Sequence, residues 1–260
     1  MKNLLYLLTL FLFACGSSDD SSEAESNFSI ELTPSDGNEV AIDQIFSIEV
    51  NANEDLKYIW PSFDNFTSSG YGSSSGTPHT LYYALDDLGE KTISVRAKNE
   101  KEEVSEKQIV VNVVRGQAIK ITGLQLISFQ NIHGTFDPEY AETDPNRLAD
   151  LAFAFSKHQI GNGMTPDYGI RLWYRSAILE NQGNLTWDIS PENLYMKPDQ
   201  HLYFSLGEVD GELEAANLLG GSVPYKELSF AAYLATKPSS ISYSFPEIGL
   251  EFTLFIEWPN

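Results

Sequence analysis

The chain has 260 residues and carries 16 Lys and Arg against 37 Asp and Glu, a net charge of −21. That balance excludes a nucleic-acid binder, because neutralising phosphates needs an excess of Lys and Arg. Hydrophobic residues at 42% and aromatic residues at 12% exclude a disordered chain, and one cysteine excludes an internal disulfide, a cysteine-based zinc site and an iron–sulfur cluster.

The chain opens Met1-Lys2-Asn3, and an apolar run from Leu4 to Ala14 follows, broken only by Thr9. One positive charge, a short apolar core and a small residue at its end describe a secretory signal peptide over residues 1–14. About 11 residues of helix span about 16 Å, far short of the ~30 Å hydrocarbon core, so the run is not a permanent membrane span. Leu12-Phe13-Ala14-Cys15 resembles the lipobox of bacterial lipoproteins. The resemblance implies diacylglycerol on the Cys15 thiol, cleavage before Cys15 and an acylated new amino terminus. Residues 15–27 are polar, acidic and rich in serine, so they cannot bury surface and read as a flexible tether. Ser18-Asp19-Asp20, so soon after the cysteine, also resembles the surface-export signal of lipoproteins in glycan-foraging Gram-negative bacteria. That likeness implies an outer-membrane protein on the cell surface.

From Phe28 the pattern is one of short alternating strands. Phe28, Ile30 and Leu32 alternate with polar residues, and Pro34 to Asn38 is a turn. Further strands follow at Ile45–Val50, at Leu56, Tyr58 and Trp60, at Tyr82–Ala84, at Ile93–Asn99 and at Ile109–Val113, with a Ser/Gly loop over Thr67–Thr77. This spacing predicts an antiparallel sandwich over residues 28–115. Trp60 is the large ring expected to nucleate its core. Tyr58-Ile59-Trp60, Pro78-His79-Thr80, Tyr82-Tyr83, Gly89, Thr92–Val95, Asn99 and Ile109-Val110-Val111-Asn112-Val113 together resemble a polycystic-kidney-disease-type (PKD-like) immunoglobulin-fold repeat. Where that family reads Asp-Phe-Gly-Asp-Gly after the tryptophan, this chain has Pro61-Ser62-Phe63-Asp64-Asn65, so a ligand role tied to that loop is not carried over. The resemblance implies a spacer or protein–protein module.

Arg115-Gly116-Gln117 reads as a joint, and residues 117–260 predict a second β-sandwich, so the fold class is all-β. Ala118–Gly123 alternates and then bulges at Gly123. The clearest strand is the last, where Leu250, Phe252, Leu254, Ile256 and Trp258 share one face. Others are expected at Gly169–Tyr174, Leu185–Trp187, Leu202–Leu206, Leu228–Leu234 and Ile241–Phe245. Asp144-Pro145 satisfies helix-start rules, yet Leu151, Phe153 and Phe155 alternate as a strand does, and the strand is the preferred reading. A short helix is expected over Glu214–Leu219, stopped by Gly220-Gly221.

Enzyme signatures fail one by one: there is no His-Glu-x-x-His, Gly-x-Ser-x-Gly or Gly-x-x-x-x-Gly-Lys, so no catalytic residue is assigned. The acidic loop with Asp137, Glu139, Glu142 and Asp144 is the densest set of oxygen donors and the place where calcium would fit. A solvated acidic loop is the simpler reading, and no metal and no cofactor are assigned. Tyr168, Trp173, Tyr174 and Trp187 are the ligand-binding candidates, because exposed rings stack on sugars and anchor partner proteins. The expectation is a non-catalytic surface lipoprotein whose distal domain binds an extracellular glycan or a partner protein. The alternatives are a polysaccharide hydrolase and a structural subunit of an envelope complex.

Overall fold

Period-two alternation of apolar and polar residues organises the chain, which the computed structural model describes over residues 27–67, 72–73, 77–160, 163, 168–210, 216–220 and 223–259. The expected signal peptide over residues 1–14, Cys15 and all of the expected tether but its last residue lie outside the described residues. The molecule is all-β, its strands gathered into four sheets among the described residues.

The first domain uses β1 (Ile30–Pro34), β2 (Glu39–Ala41), β3 (Ile45–Ala52), β4 (Leu56–Ser62), β5 (Gly72–Ser73), β6 (His79–Ala84), β7 (Gly89–Asn99) and β8 (Val104–Val114). One sheet has the order β1-β3-β6 and the other β2-β8-β7-β4-β5. Pairing is antiparallel except between β2 and β8, which run parallel. Ile48, Val50, Ile59, Leu81, Tyr83, Ile93, Val95 and Val111 fill the space between the sheets. Trp60 does not lead this core. The β4–β7 register shifts between Leu56 and Tyr58, and that irregularity changes which face each later residue takes. Ile59 is therefore fully buried, whereas Trp60 is half-buried and lies against Tyr58 at 5.6 Å between ring centroids.

The distal domain uses β9 (Ile119–Ser128), β10 (Leu151–Ile160), β11 (Tyr168–Arg175), β12 (Thr186–Asp188), β13 (Leu194–Met196), β14 (His201–Glu208), β15 (Ala216–Asn217), β16 (Lys226–Ser229), β17 (Ser240–Phe245) and β18 (Leu250–Glu257). One sheet has the order β12-β9-β18-β17, with β13 also paired to β9. The other has the order β11-β10-β14-β15, with β16 also paired to β14. In β18 the residues Leu250, Phe252, Leu254 and Ile256 are buried and their neighbours turn outward, as the alternation predicts. The expected bulge is present: Phe255 pairs with Gly123 and Ile256 with Ile121, leaving Thr122 over. Phe153 anchors this core, touching the rings of Phe155, Tyr174, Trp187 and Phe204.

Three local expectations change. The two signals at Asp144–Phe155 turn out to be consecutive: Asp144 accepts from the Asn146 amide and caps a single 3₁₀ turn at Pro145–Arg147, and the strand begins at Leu151. Of the helix expected over Glu214–Leu219, residues 214–215 lie outside the described residues, and Ala216 and Asn217 pair with Glu208 and Gly207 as β15 instead. Open ladder positions on β14 offer more than an isolated turn of helix, which is unfavourable to nucleate. The strand expected to Leu234 stops at Ser229 and gives way to a 3₁₀ turn at Ala231–Tyr233.

The domains meet through a buried ion pair. Lys157 of β10 is fully buried, and its Nζ lies 2.8 Å from Oδ1 of Asp43 and 3.4 Å from Oδ2 of Asp86. The Trp173 ring covers that ammonium at 4.2 Å. Asp43 also accepts from the Lys197 amide at 3.3 Å. Backbone bonds between Tyr82 and Gly163, at 2.8 and 2.9 Å, carry the contact further. At a second point Arg115 donates to the Glu257 carboxylate and carbonyl at 2.5 and 2.8 Å.

Candidate functional site

The outer face of the β11-β10-β14 sheet carries a trough. Because Leu151, Phe153 and Phe155 point into the core, Ala152, Ala154 and Ser156 point out. Register places Ala152 beside Gly207 and Ala154 beside Ser205, so two adjacent strands present small residues together. The result is a cavity of about 280 Å³, with Leu172, Ile178 and Val209 as apolar walls and Arg175 and Asn217 as polar ones. No Asp, Glu or His is among the described residues that line it.

Strand β11 stands beside this trough, and among the described residues it pairs only with β10. Its far edge therefore presents backbone donors and acceptors, and Tyr168, Ile170 and Leu172 are exposed along it, Tyr168 at 63% and Leu172 at 59%.

The four aromatic candidates do not form one platform. Trp187 is buried and donates its indole N–H to the Ala177 carbonyl at 2.9 Å. Tyr174 packs against both Phe153 and Phe155, and burial pushes its phenol up. Trp173 lies over Lys157, so of the four only Tyr168 is exposed.

The acidic loop is divided by the fold. Asp144 is used as a cap, whereas Asp137 comes within 4.8 Å, oxygen to oxygen, of both Glu208 and Asp210. Glu208 ends β14 opposite Leu151, on the core side of the sheet. It is 6% exposed, and its Oε1 has no hydrogen-bond partner. Burial first, then the negative charge of Asp210 and a hydrogen bond with it, then the charges of Asp137 and Asp150, push its carboxyl up to about 7. Asp137 is pushed up for the same reasons, burial first, with Asp210, Glu139 and Asp150 adding. An all-oxygen donor set of this kind suits a hard divalent cation.

Sequence reasoning passed over Lys157 and Glu208, yet a signal was present for both. Leu151, Phe153, Phe155 and Lys157 fall on one parity of β10, and Leu202, Phe204, Leu206 and Glu208 on one parity of β14. A charge at the end of an apolar parity row marks a buried or rim position. What the row cannot supply is the partner, since Asp43 and Asp137 come from far along the chain.

No protein-family model matches the chain, and no curated protein matches it.

Proposed function

We propose that this chain is a lipid-anchored surface protein that binds an extended segment of a partner protein along β11 and the trough beside it. The carrying observation is the open, apolar edge of β11. An added strand gains main-chain hydrogen bonds there, and Tyr168, Ile170 and Leu172 supply alternate side-chain contacts. Acylation at Cys15 remains an inference from the lipobox likeness, an outer-membrane location one from the Ser18-Asp19-Asp20 likeness, and the tether one from composition. The PKD-like reading of residues 28–115 is likewise an inference. In its support, three strands face five, and the second sheet begins with β2 and β8, the domain's second and last strands, as a parallel pair, an order compatible with an immunoglobulin-type sandwich. That domain acts as a spacer. The interface through Lys157 and Asp43 gives the spacer a firm hold on the binding domain.

A glycan is the second reading, favoured by exposed Tyr168 beside the polar Arg175 and Asn217. Hydrolysis is weaker, because the carboxylates with raised proton affinity do not line the trough. The test uses the full mature chain in cross-linking on intact cells and on glycan arrays. Partner capture should be lost in the variant I170D/L172D and kept in E251Q on the opposite sheet. Retention on a polysaccharide that Y168A abolishes would favour the glycan instead. Release of sugar from any polysaccharide would overturn the non-catalytic reading.

A further inference from the structure

The geometry points to a calcium site at the rim of the distal sandwich, with Asp137, Glu208 and Asp210 as its carboxylate ligands. This goes beyond the binding function and does not depend on it. One oxygen from each of the three residues lies within 4.8 Å of the other two. Calcium holds oxygens at about 2.3–2.6 Å, so three of them spread evenly around one ion stand about 4.0–4.5 Å apart. The three carboxylates can therefore reach a single calcium with little movement. Magnesium, at about 2.0–2.1 Å, demands a near-ideal octahedron and sheds its water reluctantly, which suits it less to a cluster of three carboxylates.

The second observation is Glu208 itself. A carboxylate that is 6% exposed and leaves Oε1 unpartnered is costly, unless something positive meets it. The groups that act on it are acids: Asp210, which is also a hydrogen-bond partner of the carboxyl, Asp137 and Asp150. The Arg147 guanidinium, near Asp137 in sequence, is committed to the carbonyls of His133, Gly134 and Glu142 at 2.5 to 2.8 Å. A bound dication supplies the missing positive charge, and burial has already removed competing water from one ligand. The cluster contains no histidine or cysteine, which sets it apart from a zinc site. The ion would tie the β9–β10 connection to the end of β14, two segments about 70 residues apart in the chain.

The experiment is calorimetric titration of the full mature chain with calcium chloride and, separately, magnesium chloride, with melting followed in calcium and in chelator. One calcium should bind with Kd of about 10⁻⁵–10⁻³ M, at least about tenfold tighter than magnesium, and about 10 mM calcium should raise Tm by about 5 °C or more. The variant E208Q should lose the calcium heat and the calcium-dependent rise in Tm. In chelator it should melt at or above the parent, because a neutral amide relieves the crowding of acids. That second readout separates a lost ligand from a misfolded chain. Should E208Q fail to fold, D210N at the exposed ligand gives the same reading. Absence of calcium heat in the parent, or unchanged calcium binding in E208Q or D210N, overturns the site. Equal affinity for magnesium overturns the choice of ion.

Discussion

Lys157 occupies a position where an unpaired lysine would be very unfavourable, and Asp43 makes it tenable. Burial is the largest influence on the Asp43 carboxyl, and with the repulsion of Asp86 it outweighs the attraction of Lys157, so the carboxyl stands above its usual range. The pair therefore specifies how the domains meet more than it adds stability. Removing one partner strands the other. K157M should lower unfolding free energy by about 3–5 kcal/mol, and adding D43N should recover most of that loss. Asn is the suitable replacement because Asp43 has a positive φ of 55°, which Asn tolerates. Denaturant unfolding of the two variants decides the matter, and a larger loss in the double variant would contradict it. Phe153 offers a simpler case: with four aromatic neighbours, F153A should cost about 3–5 kcal/mol through lost contacts and a cavity.

At the scale of elements, the β7–β8 hairpin carries a titratable staple. Glu102 accepts first from Lys57 and then from Lys98, and its carboxyl is held down from 4.5 to about 2. A depressed acid stabilises the fold above its unfolded pKa and loses that contribution as pH falls through the folded one. The hairpin's support should be complete above about pH 4.5 and gone near pH 2, and E102Q should flatten the stability profile in that window alone. Glu102 is exposed, so the effect is modest and salt-sensitive. Strand β18 was legible in the sequence, since its alternation survives as burial from Leu250 to Ile256, although Trp258 falls beyond its end and is half-buried. Strand β4 was legible as a strand but not in its facing, because the shift between Leu56 and Tyr58 leaves no mark in composition. The 216–217 segment misled for a different reason: its helix signal is local, whereas β14 supplied a ladder from elsewhere. The candidate sites follow the same division. Small outward residues on β10 can be read from parity, but the trough needs the β10–β14 register, and the acid cluster needs the β9–β10 connection folded back to Glu208.

At the scale of the whole molecule, two hydrophobic cores share a charged, partly buried joint. No helix among the described residues is long and apolar enough to cross a membrane. The net charge of −21 would keep such a protein soluble and repelled from anionic surfaces, which suits display on a tether. Display through a lipid on Cys15 is the claim on which the extracellular reading of β11 depends, and it also sets the calcium concentration to which the acid cluster is exposed. Intact mass spectrometry of the native protein, extracted from membranes with detergent, tests it most directly. The account predicts a chain beginning at Cys15 and heavier than its sequence mass by a diacylglycerol and an amide-linked fatty acid. A chain that still begins at Met1, or one cut at Cys15 but carrying a free thiol, would contradict it.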